Sequence, residues 1–304
     1  MKRVVACALA LCLTVCLFAG TASAAAREPI SKFTIPLADN VNLIEMTHAG
    51  GIFTDPKDVL QQHALTYQPG GDVQPMVIYG STLYGRSTMS KIATYLDNQN
   101  LSLVAGVNGS FFDMSTGIPY GFVVTDGVLR TSGNVNSVGF FKNGSAIIAS
   151  PDLHVLLTGG AFSDTEIFYN KVLTTTNGIG LYSRDYDTAT KNTVSAYNLV
   201  LKPVSGSDSE LTLSGEMTLE VTKITQSAAS CAIPAGGFVL SIAEQTSYAS
   251  VLANMKAFKV GDRVTVSVRC ADEWEDVAYA CGGGDLLVED ENALENFTLD
   301  TKNE

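Results

Sequence analysis

Short apolar runs separated by Asp-Gly and Asn-Gly pairs constrain this chain more than any other feature. Tyr120-Gly-Phe-Val-Val-Thr125 runs into Asp126-Gly127 and then Val128-Leu-Arg130, and Val138-Gly-Phe-Phe141 runs into Asn143-Gly144 and then Ala146-Ile-Ile-Ala149. Asp-Gly and Asn-Gly tolerate the left-handed backbone of a two-residue hairpin turn, so the pattern predicts consecutive antiparallel strands, a meander. Upstream, Leu101-Ser-Leu-Val-Ala-Gly-Val107 has the continuous apolar character of a buried strand. Pro75-Met-Val-Ile-Tyr79 reads as another strand, and Thr88 to Leu96 has helical spacing, with Ser87 or Thr88 as cap and Ile92, Ala93 and Leu96 on one face. Pro151 to Thr176 reads as loop. Downstream, short strand-like runs recur at Tyr197–Leu201, Glu210–Leu213, Met217–Ile224, Phe238–Ile242, Arg263–Arg269 and Val277–Cys281, with one helix over Ser247–Phe258. The expected class is α+β, mainly β, with an antiparallel or mixed sheet and few helices.

The N-terminus has the layout of a secretory signal. Lys2 and Arg3 precede an apolar run from Val4 to Ala19, and Thr21-Ala-Ser-Ala24 ends in the small-x-small pattern of a cleavage site. The run is too short for a membrane anchor, which predicts a secreted or cell-envelope protein with no stable membrane insertion after cleavage. The expected organisation is a signal peptide at 1–24, a lead-in at 25–100, a main domain at 101–289 with a strand-rich insert at about 194–268, and an acidic tail at 290–304. The formal net charge of -12 argues against nucleic acid as a partner. Cys231, Cys270 and Cys281 remain after the leader, and one disulfide with one free thiol or three free thiols fit equally. No ligand spacing for zinc exists among them, and Asp185 with Asp187 lacks the glycine and distal glutamate of a calcium loop. No metal and no cofactor is expected. The three His residues have no Gly-x-Ser-x-Gly elbow or Cys motif beside them, which argues against a triad hydrolase.

Chemistry has three candidate locations. The strand-like run to Val107 stops in Asn108-Gly-Ser-Phe-Phe-Asp113, and a strand end is where sites are commonly built. Asn108 offers a donor and an acceptor, Gly109 permits close backbone approach, Phe111 or Phe112 an aromatic face and Asp113 a carboxylate. The same residues also make an ordinary turn, with core phenylalanines and an Asp that caps the turn. Gly282-Gly-Gly284 follows the last apolar run, where three glycines let backbone approach a sugar or phosphate, or simply make a tight connection. No nucleotide-binding glycine motif is present. Asn177 and Arg184 form the third location, the guanidinium being suited to phosphate, although a loop arginine is more often simply solvated.

Three blocks at these positions resemble the phosphodiester glycosidase family. They are Val107-Asn-Gly-Ser-Phe-Phe-Asp113 with Gly121-Phe-Val-Val-Thr-Asp-Gly127, Thr174-Thr-Thr-Asn177 through Leu181-Tyr182, and Ala278-Tyr-Ala-Cys-Gly-Gly-Gly284 with Leu286-Leu-Val288. Asp285 stands where the family usually has Pro, and Glu289-Asp-Glu291 replaces an Asp-Gly turn. The family's later Arg-Thr-Ala and Asp-Gly-Gly-Gly-Ser motifs have no counterpart, so the resemblance implies an incomplete domain of this type. It also implies hydrolysis of a sugar-1-phosphodiester, with a glycan or sugar phosphate as partner. Asp113 would then be the catalytic carboxylate or an orienter of the site, and Asn108, Gly109, Phe112, Asn177, Arg184, Gly282, Gly283 and Gly284 would line the substrate. A relative that binds glycan or phosphate without turnover is the alternative. Two structural expectations follow: the chain at Asn108 and at Gly282 should meet, and an unpaired sheet edge or exposed apolar patch should remain.

Overall fold

A computed structural model describes residues 29–49, 59–289 and 292–293. The expected signal peptide, and the acidic tail apart from 292–293, lie outside the described residues. The chain divides into two compact units between Gln68 and Pro69.

The first unit is a three-stranded antiparallel sheet of β1 (Ser31–Ala38), β2 (Val41–Ala49) and β3 (Val59–Tyr67) in that order. Strand alternation places Phe33, Ile35 and Leu37 on one face, where each is at least partly exposed.

The second unit opens with α1 (Met89–Asn98), whose N-terminus Thr88 caps by accepting from the Lys91 N–H. It continues through β4 (Val123–Thr125), β5 (Val128–Thr131), β6 (Ser137–Phe141), β7 (Ala146–Ala149), β8 (His154–Gly159), β9 (Phe162–Glu166), β10 (Phe168–Tyr169), β11 (Ile179–Tyr182), β12 (Ala196–Pro203), β13 (Glu216–Ala228) and β14 (Phe238–Ala243). The helix α2 (Ala249–Lys256), β15 (Arg263–Arg269), β16 (Val277–Gly282), β17 (Val288–Glu289) and β18 (Asn292–Ala293) complete it. The class is α+β and mainly β. No helix among the described residues is long and apolar enough to cross a membrane.

Two sheets carry this unit. One has eight strands in the order β10-β11-β14-β12-β13-β15-β8-β9, antiparallel except for β10 with β11. The other has five, in the order β5-β4-β16-β6-β7, all antiparallel. Inward residues of both sheets share one apolar core: Phe122, Val124 and Leu129 from the smaller meet Leu157, Leu199, Leu219 and Leu240 from the larger. Trp274, fully buried, stands edge-on to Phe122 at 5.4 Å between ring centroids. A second cluster, with Leu83, Ile118, Leu173, Tyr182, Tyr186 and Ile233, packs the chain at 83 and 118 against β11 and β14.

Several expectations need correction. Asp126 and Gly127 both take positive φ (55° and 75°), as a type I′ turn requires. At the second turn only Gly144 does, and the Asn143 side chain instead accepts from the N–H and hydroxyl of Ser145. The two hairpins do not form a meander, because β16 inserts between β4 and β6. Hairpin chemistry fixes each local pair but does not exclude a strand arriving from 130 or more residues away. The segment assigned to loop holds β8, β9 and β10, with the β8–β9 turn at Gly159-Gly160. Glu210–Leu213 forms only an isolated bridge, Thr212 to Val128.

The largest departure is Leu101–Val107, which is neither a strand nor buried. Leu101, Leu103 and Val104 are partly exposed and Val107 is 79% exposed. Gly106 backs onto Met89 of α1, its would-be Cβ lying 3.2 Å from the sulfur. Pro75–Tyr79 likewise belongs to no strand. Apolar composition makes a segment able to pair, but a strand exists only where a second backbone lies opposite. Phe111 (67%) and Met114 (66%) extend this run of exposed apolar residues in the sequence.

Candidate functional site

Gly282 ends β16 in the middle of the five-stranded sheet, its N–H donated to Phe122 O at 3.1 Å. Its α-carbon lies directly against Gly121: a Cβ on either residue would stand 2.5–2.6 Å from the other's Cα. Gly133 closes the same crossing, since a Cβ there would meet Tyr120 O at 2.4 Å. These three glycines are thus required by chain packing. Gly283 and Gly284 lie beyond the crossing and are exposed; the Gly283 N–H is donated to Asn136 O at 2.7 Å.

The loop Asn108–Asp113 lies against this strand end. A Cβ on Gly109 would come within 3.1 Å of Cys281 Sγ, one on Gly282 within 3.2 Å of Ser110 Oγ, and one on Gly284 within 3.0 Å of the Phe111 ring. The expected meeting of the two blocks is therefore present. Burial pushes the Cys281 thiol up, opposed by the backbone N–H of Ser110. Cys231, Cys270 and Cys281 are all free thiols.

Asp113 is held by its own turn. Its Oδ1 accepts from Ser115 N (2.9 Å), Ser115 Oγ (2.5 Å), Thr116 N (2.8 Å) and Thr116 Oγ1 (3.0 Å), while Gly117 N donates to Asp113 O. The Ser115 hydroxyl, then the N–H and hydroxyl of Thr116, hold its pKa down to about 2. Asp113 is an anion at neutral pH, fitted to stabilise positive charge and unfitted to donate a proton. Asn108 is exposed at the loop's start, and Phe112, 39% exposed, bridges to Pro119.

Asn177 and Arg184 serve other ends. The Asn177 amide closes its own loop, donating to Val172 O (2.7 Å) and accepting from Thr174 N (2.9 Å). Arg184 is exposed and makes no ion pair among the described residues. The neighbouring Asp185 is the engaged residue. It accepts from Tyr79 OH (2.8 Å), Arg130 Nη1 (3.2 Å) and Ser183 Oγ (3.3 Å), and Arg130 also reaches Glu210 at 3.4 Å. Burial, reinforced by the Asp185 carboxylate, pushes the Tyr79 phenol up and keeps it a proton donor. Asp187 pairs with Lys191 at 3.6 Å. Asp185 and Asp187 thus already have cationic partners, and among the described residues no group of His, Cys, Asp or Glu is placed to hold a metal ion.

Sequence reasoning missed Asn170 and Lys171. Asn170 is fully buried with φ 53°; its Nδ2 donates to Arg130 O (2.7 Å) and Ser183 Oγ (3.0 Å), and its Oδ1 accepts from Ser183 N (2.9 Å). The Lys171 ammonium donates to three successive carbonyls, those of Pro119, Tyr120 (3.1 Å) and Gly121 (3.0 Å). Burial pushes its pKa down to about 7. An Asn-Lys pair in a stretch read as loop gives no signal of either role. Two open depressions lie away from this junction, at Val204–Asp208 (≈ 320 Å³) and beside Ser214, Glu216, Arg269 and Cys270 (≈ 400 Å³).

No family model and no curated protein matches the chain. Among solved structures, a hypothetical protein from Synechocystis is similar in fold, with a TM-score of 0.62 at 15% identity over 88% of this chain and 46% of that protein. The chain thus spans about half the length of that structural neighbour.

Proposed function

We propose that this chain is an exported phosphodiester glycosidase-like protein acting on sugar-1-phosphodiester linkages of extracellular or envelope glycans. The observation that carries the reading is the convergence of Asn108–Asp113 with Cys281–Gly284 at one strand end, although about 170 residues separate them in sequence. The chemistry suits the groups present. A phosphate ester leaves the anomeric carbon with less need of protonation than an alcohol does, so the site must chiefly steady an oxocarbenium-like centre. Asp113, ionised throughout the neutral range, supplies the negative charge for that centre. Asn108 offers hydrogen bonds to sugar or phosphate, the Phe111 ring an aromatic face, and Gly283 with Gly284 a wall without side chains.

The second reading is a relative that binds sugar phosphate without turnover. It is favoured by the four hydrogen bonds that already converge on Asp113 Oδ1. Hydrolysis of a GlcNAc-1-phosphodiester by the purified chain, compared with Asp113→Asn, decides between them. Asn keeps the turn's acceptor and removes the charge, so turnover that falls at least tenfold in a folded variant supports the enzyme reading. Binding of GlcNAc-1-phosphate without turnover supports the second. Neither turnover nor binding would sink both.

A further inference from the structure

We propose that Lys171 is a positioning residue for this junction: its ammonium fixes the backbone of 119–121 and so holds the Asn108–Asp113 loop against Gly282–Gly284. The inference rests on the functional reading only in calling the junction a site.

Three successive carbonyls aimed at one point are foreign to a strand, where alternate carbonyls point to opposite sides. The segment Pro119–Gly121 therefore has to curl around a cation, and Lys171 has one proton for each oxygen. What is fixed there spreads in two directions. Toward the loop, Tyr120 N donates to Phe111 O (2.8 Å), Phe112 bridges to Pro119, and Asp113 N donates to Ile118 O (2.9 Å). Toward the strand end, Gly121 lies on Gly282, and Tyr120 O marks the spot that a side chain at Gly133 would need.

The lysine itself hangs from a rigid support. Asn170 is tied to β5 through Arg130 O and to the end of β11 through Ser183, and Asn177 clamps Val172 O on the other side. Lys171 thus relays a backbone position set by the large sheet to the loop that carries Asn108 and Asp113. Lysine, and not an apolar residue, is required because three carbonyls in a partly buried place would otherwise lack donors.

The test compares Lys171→Met and Lys171→Arg with the unaltered chain by amide hydrogen exchange, with hydrolysis and binding of the GlcNAc-1-phosphate probes measured alongside. Met keeps the stem and removes the donors; Arg restores a cation with several donors. Exchange at Asp113 and Tyr120, whose N–H groups donate to Ile118 O and Phe111 O, should quicken at least about tenfold in Lys171→Met, as expected for the loss of one or more charge-assisted hydrogen bonds. The β12–β14 amides should stay within about twofold, and Lys171→Arg should recover most of the difference. Exchange at 111–120 within twofold of the unaltered chain, or an increase spread evenly through the large sheet, overturns the proposal. Should Lys171→Met fail to fold, Lys171→Gln serves in the same comparison, with the same two overturning results. An unaltered chain that neither binds nor hydrolyses the probes refutes the functional reading, and the exchange data still decide the role of Lys171.

Discussion

Replacing Gly282 by alanine tests the packing argument most directly. The new methyl would lie 2.6 Å from Gly121 Cα, 2.9 Å from Val135 Cγ2 and 3.2 Å from Ser110 Oγ. The first contact is about 0.8 Å short of ordinary carbon–carbon distance and is made to backbone, which cannot rotate away. Relief requires β16 to move from the 121–122 segment, lengthening the Gly282 N–H bond to Phe122 O, now 3.1 Å. That places the cost at the upper end of the overpacking range, about 2–3 kcal/mol. For a unit of this size it corresponds to a fall in Tm of roughly 5–10 °C. Urea denaturation at constant m measures it. Gly283→Ala is the control: it is exposed, its Cβ meets only the Asn136 carbonyl, the oxygen at 3.2 Å, and it should cost under about 1 kcal/mol. Gly121→Ala creates the same clash from the other side, at 2.5 Å from Gly282 Cα. One separation relieves both, so the double variant should cost less than the two single costs added. A Gly282→Ala protein within 0.5 kcal/mol of the original, or strict additivity in the double variant, would refute the close crossing.

Asn170→Ala should cost about 3–4 kcal/mol, because it removes three buried hydrogen bonds and puts an ordinary residue at φ 53°. Asn170→Gly should cost about 1 kcal/mol less, and chemical denaturation that ranks the two the other way would count against the backbone part of this account. The carboxyl of Asp113 has a folded-state pKa near 2, below its unfolded value of about 3.9, so its contribution is fully present above pH 4 and is lost as pH falls toward 2. An NMR titration of that carboxyl with a midpoint near 4 would contradict the turn described. Cys231 is buried and Cys270 and Cys281 partly so; alkylation of the native protein should be slowest at Cys231, and peptide mapping without reductant should show no disulfide among the three.

Much of this fold was legible in the chain, for reasons that can be located. Asp126-Gly127 dictated a turn because left-handed backbone at both positions is local chemistry. Thr88 announced α1 because a cap is a neighbour-to-neighbour hydrogen bond. The junction of 108–113 with 281–284 was foreseen from strand ends marked by glycine. The reason foreseen for Gly282 was a ligand, whereas the crossing with Gly121 accounts for it, and glycine in a sequence does not say what approaches it. Arg184 looked like the charged residue of its segment, yet the half-buried ion pair belongs to Arg130 and Asp185, 55 residues apart. Leu101–Val107 failed as a strand because pairing is a property of two segments. Asn170 and Lys171 were invisible because every acceptor of theirs that matters, Ser183 aside, is a main-chain carbonyl, and carbonyls leave no trace in residue identity.

The place of β16 also orders events during synthesis. The β4–β5 and β6–β7 hairpins are complete once about 150 residues have emerged, yet the slot between them waits for Val277–Gly282. Until then Phe122 O and the Gly121 surface have no strand opposite them, and the loop from Asn108 is held by the 118–121 segment alone. Closing that slot joins segments about 150 residues apart, a late and entropically costly step. The junction should therefore be among the last parts of the large unit to assemble, which pulse-labelled amide exchange during refolding would check. A nascent or nicked chain can carry a well-formed hairpin pair and much of the larger sheet and still lack the place where sugar phosphate is proposed to bind.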